Sequence, residues 1–365
     1  MQKIVFHLNS LGQGGLERVV SNLSNKFAAQ GYQVIVATEW QTENEFVLDK
    51  RIRRVHVGLT ETDEKKNRLV KMHLRNKYLW QFIKQEKPDM VLAFGLTANY
   101  RAVISTLVIH IPTIVCVRTD PVGHYDRPVD KLLIPLLYRR AAGFVFQTEG
   151  QRDFFPAFVR KKSTIILNPL HDKYLHTEKV TQRQKVVAQS GRLVDFKNQA
   201  MLIRAFLKVH AIHPDYILRI YGGDSRDGTR EELEAIIEEN HAWEYVQLMG
   251  ASDSLETELA DVAVYAFSSD WEGLPNALIE AMALGLPVVA TDCPCGGPRT
   301  LITEGKNGLL VPIKNEDALA EGIRKLIEDP ELAERLGEEA RKISSRVNGE
   351  AVFKQWQDYM ESIGK

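Results

Sequence analysis

The sequence has few cysteines and no long uncharged segment. The three cysteines, Cys116, Cys293 and Cys295, are too few for a disulfide framework, and Cys-x-Cys is not a zinc-ligand spacing. The longest stretch without Asp, Glu, Lys or Arg covers 16 residues, 102–117. A membrane-spanning helix needs about 20 apolar residues. The first residues also lack the basic and apolar regions of a signal peptide. These absences predict a cytosolic protein with reduced thiols.

The charge of the chain is nearly neutral in total but unevenly distributed. The 365 residues include 47 basic and 48 acidic side chains, in a composition that excludes a disordered or fibrous chain. Residues 1–170 contain 25 basic and 15 acidic residues, whereas residues 171–365 contain 22 and 33. The first part therefore carries +10 and the second −11. We expect the first part to face an anionic partner.

Short apolar segments alternate with helical patterns along the whole chain. The predicted strands are 3–8, 33–37, 90–94, 113–117 and 143–146, followed by 185–190, 217–221, 246–249, 262–266 and 287–290. Two such series predict two doubly wound α/β domains, with ligands bound beyond the carboxyl ends of the strands. Pro169 ends the first series and marks a hinge. We expect domains at 1–168 and 169–348, and a terminal helix over 349–365 that could pack back on the first domain.

A glycine-rich segment lies between the first predicted strand and a helix. It covers residues 9–17 and contains the pair Gly14 and Gly15. Glycines in such a loop let backbone amides approach an anion at the positive end of a helix. The dinucleotide fingerprint needs a third glycine where Glu17 stands. Two interpretations stay open: an anion-binding loop, or a turn that needs glycine for a positive φ.

A second segment, 271–283, predicts a loop followed by a helix. Pro275 suits the first turn of that helix, which places Glu272 in the loop and Glu280 inside the helix. Backbone amides at the helix start could hold a phosphate or sugar hydroxyls. Glu280 is flanked by apolar residues, so its carboxylate would need partners such as ribose hydroxyls. The alternative is a solvated Glu280 with Glu272 favoured by the helix dipole.

A third segment, 190–198, follows the first strand of the second series. It places Arg192 and Lys197 on a loop at the carboxyl end of a strand. Two such cations are suited to binding a diphosphate without a metal ion. Taken singly, each would more often be a solvated surface charge.

At these three segments the sequence resembles the retaining glycosyltransferases of family four, which have the GT-B fold of two Rossmann-like domains facing across a cleft. The resemblance covers nearly the whole chain and continues into 291–294 and 305–311. Its most specific part is the Glu-x7-Glu motif formed by Glu272 and Glu280. It implies an acceptor-side domain at 1–168 and a nucleotide-sugar-binding domain at 169–348.

The resemblance implies transfer of a sugar from a nucleotide diphosphate sugar, usually a UDP-sugar, with retention of configuration. The implied acceptor is a glycan or a polyprenyl-linked glycan of cell-surface polysaccharide or glycolipid synthesis. Arg192 and Lys197 would bind the pyrophosphate, Glu280 the ribose and Glu272 the transferred sugar. The residues that it assigns to the donor are Gly14, Gly15, Arg192, Lys197, Glu272, Leu274, Pro275, Asn276, Leu278 and Glu280.

One position departs from the pattern of the family. Many relatives have a histidine at the end of a strand of the first domain, aimed at the transferred sugar, where Arg118 stands here. We expect Arg118 and Asp120 to contact sugar or acceptor and to complete the catalytic set with Glu272. The alternative is that Arg118 and Asp120 form an ion pair. No Asp-x-Asp pair suits a magnesium–diphosphate complex, since 224–227 has the wrong spacing. We therefore expect no metal and no cofactor.

Two other classes of protein remain open. One is a dinucleotide-dependent oxidoreductase, with Glu39 as a ribose ligand, although the missing third glycine counts against it. A UDP-sugar epimerase of similar fold is a closer alternative within enzymes. The other class is a non-enzymatic protein that binds membranes or nucleic acids through the basic first half. No RNA-recognition motif is present, and we expect no nucleic-acid partner.

A candidate amphipathic helix over 68–85 indicates what the anionic partner could be. Its apolar and basic residues alternate, and they are Leu69, Met72, Leu79, Phe82 and Ile83 with Lys71, Arg75, Lys77 and Lys84. This pattern suits a helix that lies on an anionic membrane. We expect a cytoplasmic enzyme that could be peripheral on the inner face of the membrane, or one that binds a polyprenyl-diphosphate acceptor.

Overall fold

The computed structural model describes residues 2–12, 14–175, 177, 180 and 182–364. Backbone contacts divide the chain into two compact units. The first unit comprises Met1–Pro169 and Gly349–Lys365, and the second comprises Leu170–Asn348. The division after Pro169 lies one residue from the boundary that the sequence analysis expects.

The first unit is built on a parallel sheet of seven described strands. These are β1 (Lys3–Leu8), β2 (Gln33–Thr38), β3 (Arg53–His56), β4 (Met90–Phe94), β5 (Thr113–Cys116), β6 (Gly143–Phe146) and β7 (Ser163–Ile165). Their order in the sheet is β3-β2-β1-β4-β5-β6-β7. The helices between them are α1 (Gly15–Ala29), α2 (Glu61–Glu64), α3 (Arg68–Glu86), α4 (Leu96–Thr106), α5 (Pro128–Leu137), α6 (Glu149–Asp153) and α7 (Ala157–Arg160).

The second unit repeats this plan with a parallel sheet of six described strands. These are β8 (Gln184–Ser190), β9 (Ile217–Tyr221), β10 (Val246–Gly250), β11 (Val262–Phe267), β12 (Val288–Thr291) and β13 (Leu309–Val311), in the order β10-β9-β8-β11-β12-β13. The helices are α8 (Gln199–His210), α9 (Thr229–Glu239), α10 (Leu255–Glu258), α11 (Asn276–Ala283), α12 (Gly297–Leu301), α13 (Glu316–Glu328), α14 (Pro330–Arg341) and α15 (Ser344–Val347).

The predicted α/β class with two doubly wound sheets is confirmed, and the ten predicted strands are present with ends that agree within one residue. Three short strands, β3, β7 and β13, were not predicted. β3 carries two arginines and a histidine and is only partly buried, so it lacks the apolar run that marks a central strand. All three lie at or near the margins of their sheets, where one side of a strand stays accessible.

The last helix of the chain, α16 (Gly349–Ile363), packs on the sheet of the first unit. Trp356 is fully buried against Phe94 of β4, with ring centroids 6.2 Å apart. Phe353 meets Phe27 of α1 at 4.8 Å. The Tyr359 hydroxyl accepts a hydrogen bond of 2.8 Å from the Phe144 amide. The terminal helix therefore completes the apolar core of the first unit.

The helix α3 differs in part from the amphipathic helix that the sequence predicts. Leu79 and Ile83 are buried against the sheet, while Leu69 and Met72 are exposed near its first turn. Arg75 forms an ion pair with Glu64. The prediction that this helix lies on a membrane is therefore wrong for Leu79 and Ile83, which the sheet covers. Within the described residues, no helix is both long and apolar enough to cross a membrane.

Replacing Trp356 with Ala should lower the free energy of unfolding by about 3–5 kcal/mol, because a fully buried indole leaves a cavity between α16 and the sheet. Urea unfolding measures this change. The matched control is Trp243→Ala in the second unit, where the side chain is exposed and the loss should stay near 0.5 kcal/mol. Equal losses for the two variants would contradict the assignment of α16 to the core of the first unit.

Candidate active site

The candidate site lies at the carboxyl edge of the second sheet, between β8 and β11. The chain runs from β8 outward to β9 and β10, then returns to place β11 on the other side of β8. Connections that diverge in this way leave a crevice beyond the carboxyl ends of the two strands. The loops after β8 and β11 carry Arg192 and Lys197 on one side and Glu272 on the other. The topology therefore brings two of the predicted segments together.

The loop after β8 is shaped by a close approach to the loop after β9. Gly191 has a backbone φ of 149°, a value that residues with a side chain rarely adopt. The Leu193 amide donates to the Gly223 carbonyl at 2.9 Å. A Cβ atom at Gly222 would lie only 1.9 Å from the Gly191 carbonyl oxygen. Gly222 thus fixes the path of the cationic loop, a role that was not predicted although two glycines follow a predicted strand.

Lys197 and Glu272 form an ion pair that joins the two loops. Their side chains are only 14% and 15% exposed, so the pair is largely shielded from water. The Lys197 ammonium also lies 5.7 Å from the ring centroids of Phe196 and Phe267. These neighbours hold the cation at the crevice, since two aromatic faces and a carboxylate restrict its long side chain.

The same two loops are joined by further hydrogen bonds. Asn198 caps α8 through its side-chain oxygen and donates its amide nitrogen to Asp270 at 2.9 Å. The Ser268 hydroxyl donates to the Lys197 carbonyl at 2.8 Å. Phe196 stacks on Trp271, with ring centroids 4.1 Å apart. These contacts set the position of Lys197 opposite Glu272 before any ligand arrives.

Side chains at the end of β12 and in the segment that follows it form hydrogen bonds with the loop of Glu272. The Thr291 hydroxyl donates to the Ser269 carbonyl at 2.6 Å. The buried Cys295 thiol donates to the carbonyl of Glu272 itself at 2.7 Å. Cys293 is also buried, and burial raises the pKa of its thiol. These thiols are packed beneath the site and take part in shaping it, which the count of cysteines alone does not indicate.

The helix α11 begins beside the Glu272 loop and carries Glu280 inward. Glu280 is buried, as its apolar neighbours in sequence suggest, so the solvated alternative is wrong. The Glu280 carboxylate contributes to a raised pKa of Tyr265, whose main cause is burial. Tyr265 in turn lies 3.1 Å from the Ser190 hydroxyl at the end of β8. Glu280 thus belongs to the polar surroundings of the crevice.

Pro275 occupies the N-cap of α11 and not its first turn, because the helix begins at Asn276. The cap has no side-chain hydrogen bond. Leu274, Asn276 and Leu278 flank this start, where the helix dipole concentrates partial positive charge. Arg192 is exposed, and its guanidinium has no hydrogen bond or ion pair within the described residues. The loop with Arg192 and Lys197 and the start of α11 therefore lie at the same edge of the second sheet.

In the first unit, Gly14 and Gly15 form the start of α1. Gly14 is the N-cap with φ −111°, and the helix begins at Gly15. The interpretation of a turn that needs a positive φ is therefore wrong. This loop follows β1, which lies beside β4 where the order of the first sheet reverses direction. The glycine pair thus occupies a position in its sheet equivalent to that of the cationic loop in the other unit.

Arg118 and Asp120 follow β5 of the first unit and contact different partners. Arg118 donates to the side-chain oxygen of Asn168 at 3.1 Å, and its guanidinium lies 5.4 Å from the Trp356 ring centroid. Burial lowers the pKa of Arg118 to about 10, which leaves it charged at neutral pH. The Asp120 carboxylate accepts from the Val122 amide at 2.9 Å. In the described structure these two side chains form no ion pair with each other, so that alternative is wrong.

Glu39 is engaged in a buried cluster and is poorly placed as a ribose ligand. Its carboxylate pairs with Arg101 and lies 3.7 Å from the His7 imidazole. Burial lowers the pKa of His7 to about 4, so the ring is neutral at pH 7. The oxidoreductase interpretation loses its proposed acidic residue. His7 is a packed residue of the core of this unit.

Within the described ranges, no group of three or more acidic, histidine or cysteine side chains could hold a metal ion.

Two family models match the chain in consecutive segments. The model described as Glycosyltransferase Family 4 matches residues 13–173, and the model described as Glycosyl transferases group 1 matches residues 173–343. The chain belongs to the glycosyltransferases of family four, and it is a glycosyltransferase of the GT-B fold.

Individual relatives and one solved structure are similar to this chain over different shares of its length. A 4-α-N-acetylgalactosaminyltransferase of Campylobacter jejuni that acts on a diphospho-undecaprenol-linked glycan is 28% identical, over 91% of this chain and 92% of that protein. An exopolysaccharide phosphotransferase of Streptomyces coelicolor is 35% identical, but over only 49% of this chain and 19% of that protein. The structure of Anabaena HepE with UDP and glucose is similar in fold, with a TM-score of 0.82, 19% identity, and coverage of 99% of this chain and 100% of HepE.

Replacing Gly222 with Ala should lower the free energy of unfolding by about 1–3 kcal/mol, because the new methyl group would overlap the Gly191 carbonyl. The neighbouring variant Gly223→Ala is the control, since its Cβ would meet only the Ala251 methyl group at 3.8 Å. Thermal unfolding of both variants measures the difference. If the two variants are equally stable, the loops do not constrain each other as described.

Proposed function

We propose that this glycosyltransferase moves a sugar from a UDP-sugar to a glycan or polyprenyl-linked glycan acceptor, with retention and without a metal ion. The observation that carries the proposal is the pairing of Lys197 with Glu272 across the crevice between β8 and β11. This crevice brings a cation for a diphosphate and a carboxylate for sugar hydroxyls to the same place. The arrangement suits a nucleotide diphosphate sugar better than a nucleotide diphosphate alone or a sugar alone.

Binding of the donor diphosphate begins with a change of partner at Lys197. In the free protein its ammonium is neutralised by Glu272. A diphosphate carries more negative charge than one carboxylate, so it competes for this cation together with the exposed Arg192. Glu272 is then released to accept hydrogen bonds from the hydroxyls of the transferred sugar. The buried carboxylate of Glu280 accepts from the ribose.

Stabilisation of the leaving group is the main catalytic contribution of this site. As the glycosidic bond breaks, negative charge grows on the departing diphosphate. Arg192, Lys197 and the start of α11, with the amides around Asn276 and Leu278, are placed to stabilise that charge. Preorganised charges of this kind lower the barrier because they need no rearrangement during the reaction. Positive charge on the sugar ring develops near Glu272.

The choice of UDP and of acceptor class is supported by relatives. Structures of Anabaena HepE contain UDP or UDP-glucose, and the Campylobacter relative is named for a diphospho-undecaprenol glycan. A glycosyltransferase of amylovoran biosynthesis in Erwinia amylovora is 24% identical over 99% of this chain and all of that protein. We place the protein in cell-surface polysaccharide or glycolipid synthesis, in the cytoplasm and peripheral on the inner face of the membrane.

The first unit supplies the acceptor side in this proposal. Asp120 follows β5, and burial raises the pKa of its carboxyl group, which favours a role in hydrogen bonding to hydroxyls. Arg118 is anchored by Asn168 and by the Trp356 ring, so it would position this strand end while offering its remaining N–H groups to sugar or acceptor. We also propose that Gly14 and Gly15 bind the phosphate of the donor, as the sequence predicts.

Removing the proposed contacts should abolish most transfer while the fold persists. Lys197→Ala and Glu280→Ala should each reduce kcat/KM by about 100- to 1000-fold, equivalent to about 2.7–4 kcal/mol, because each variant loses a charged contact to the donor. Transfer from radiolabelled UDP-sugars to a lipid-linked acceptor measures this. The control is Lys208→Ala, which removes an exposed and ion-paired lysine of the same unit and should leave the rate within about twofold. Full activity in Lys197→Ala or Glu280→Ala would refute the assigned donor site.

Transfer should continue in excess EDTA, since Arg192 and Lys197 supply the positive charge that a magnesium ion supplies in metal-dependent enzymes. The assay compares initial rates before and after chelation. Loss of turnover on chelation, with recovery on adding magnesium, would show that the two cations are insufficient.

A further inference from the structure

The helix α5 of the first unit presents an apolar stripe to solvent. Val129, Leu132 and Leu136 are spaced three and four residues apart and are 49%, 61% and 60% exposed. The opposite face packs inward through Ile134. Val122, in the loop before the helix, adds a further apolar side chain at 60% exposure. Single exposed apolar residues are common on protein surfaces, whereas a stripe along one helix marks an interaction site.

A cluster of cations lies where this helix ends. Its exposed members are Arg139, Arg140, Arg160, Lys161 and Lys162. The Arg139 guanidinium lies 4.7 Å from the Phe158 ring centroid of α7, and the Lys162 ammonium lies 3.4 Å from the Ala141 carbonyl oxygen. These contacts join the residues after α5 to the residues after α7. Among the described residues, none of the five cations forms an ion pair with an acidic side chain.

The nearby acidic groups do not neutralise this cluster. Asp130 on α5 is buried and is bonded by Arg127 and Tyr100. Glu149 and Asp153 are engaged by Arg152. Lys131, on the exposed side of α5, adds one more cation beside the apolar stripe. The combined surface therefore has apolar side chains at its centre and net positive charge at its edge.

We infer that α5 and the residues after α7 form the surface through which the first unit docks on an anionic lipid bilayer. Exposed leucines flanked by lysine and arginine are the pattern of a helix that lies in a membrane interface. Each basic residue near an anionic surface strengthens binding by about fivefold. The inference deepens the proposed function, on which it rests for its purpose, because a lipid-linked acceptor is presented at such a surface.

The charge pattern favours α5 over α3, the helix that the sequence alone suggested. Lys71 and Arg75 of α3 are paired with Glu64, which removes much of their attraction for lipid phosphates. The apolar residues Leu79 and Ile83 of α3 face the sheet. In addition, the loop from β5 to α5 contains Asp120, so the apolar stripe begins near a residue proposed for the acceptor. Docking through α5 would bring the bilayer to the acceptor side of this unit.

Co-sedimentation of the full chain with vesicles tests this surface without donor or acceptor. Wild type should bind phosphatidylglycerol vesicles at low salt and bind at least about tenfold more weakly to phosphatidylcholine vesicles or at high salt. Leu132→Asp with Leu136→Asp should weaken binding to phosphatidylglycerol by about tenfold or more, because both side chains lose apolar burial. Arg140→Glu with Lys161→Glu should weaken it by a similar factor.

Two control variants carry matched changes elsewhere. Val47→Asp with Ile212→Asp places carboxylates at exposed apolar positions outside α5, and Lys50→Glu with Lys306→Glu reverses two exposed lysines. Both should bind vesicles within about twofold of wild type, since neither removes part of the proposed surface. Circular dichroism and thermal unfolding confirm that each variant is folded. If the Asp pair on α5 unfolds the protein, Leu132→Gln with Leu136→Gln replaces it.

Several outcomes would overturn the inference. Wild type that stays in the supernatant with phosphatidylglycerol at low salt shows that the surface does not bind lipid. Binding that the α5 variants leave unchanged places the lipid contact elsewhere. A dimer of wild type that becomes monomeric on substituting Leu132 and Leu136, without vesicle binding, makes the stripe an interface between copies. Hydrolysis of UDP-sugar in solution is measured separately, so failure of the donor site and failure of membrane docking are distinguishable.

Discussion

The ion pair between Lys197 and Glu272 depends on one constraint, the reversal of strand order between β8 and β11. Because adjacent parallel strands end at the same edge, the loops that follow them are neighbours although 75 residues separate the two side chains. One loop contributes cations and the other a carboxylate and a helix start.

The surroundings of the pair show how a polar site is kept in position inside an apolar sheet. Gly222 allows two backbones to approach, and the Cys295 thiol and Thr291 hydroxyl satisfy carbonyl groups of the Glu272 loop. These groups bind no substrate in our proposal, but they restrict the conformations of Lys197 and Glu272, which bind the donor. A preorganised site loses less conformational entropy when it binds, which is how supporting contacts contribute to affinity.

Much of this organisation could be predicted from the sequence. The remaining features could not be predicted, for physical reasons. Buried parallel strands are short apolar runs, so the central strands were recognised, whereas β3 with its arginines was not. The burial of Glu280 could be inferred from the apolar residues that flank it in the sequence. The partner of Arg118 could not, because Asn168 lies 50 residues away and only the fold brings it near. The sequence pattern of α3 likewise suggests a membrane-binding helix, because the pattern does not show that Leu79 and Ile83 pack against the sheet.

The most direct test of the central claim is stabilisation of the full chain by nucleotides in a thermal unfolding assay. Uridine, UMP and UDP differ only in phosphate, so a crevice built around Lys197 and Arg192 predicts stabilisation that increases with each phosphate added. At 100 times its dissociation constant, UDP should raise the free energy of unfolding by about 2.7 kcal/mol. Equal effects of uridine and UDP, or stabilisation by a nicotinamide dinucleotide and not by UDP, would contradict the diphosphate site.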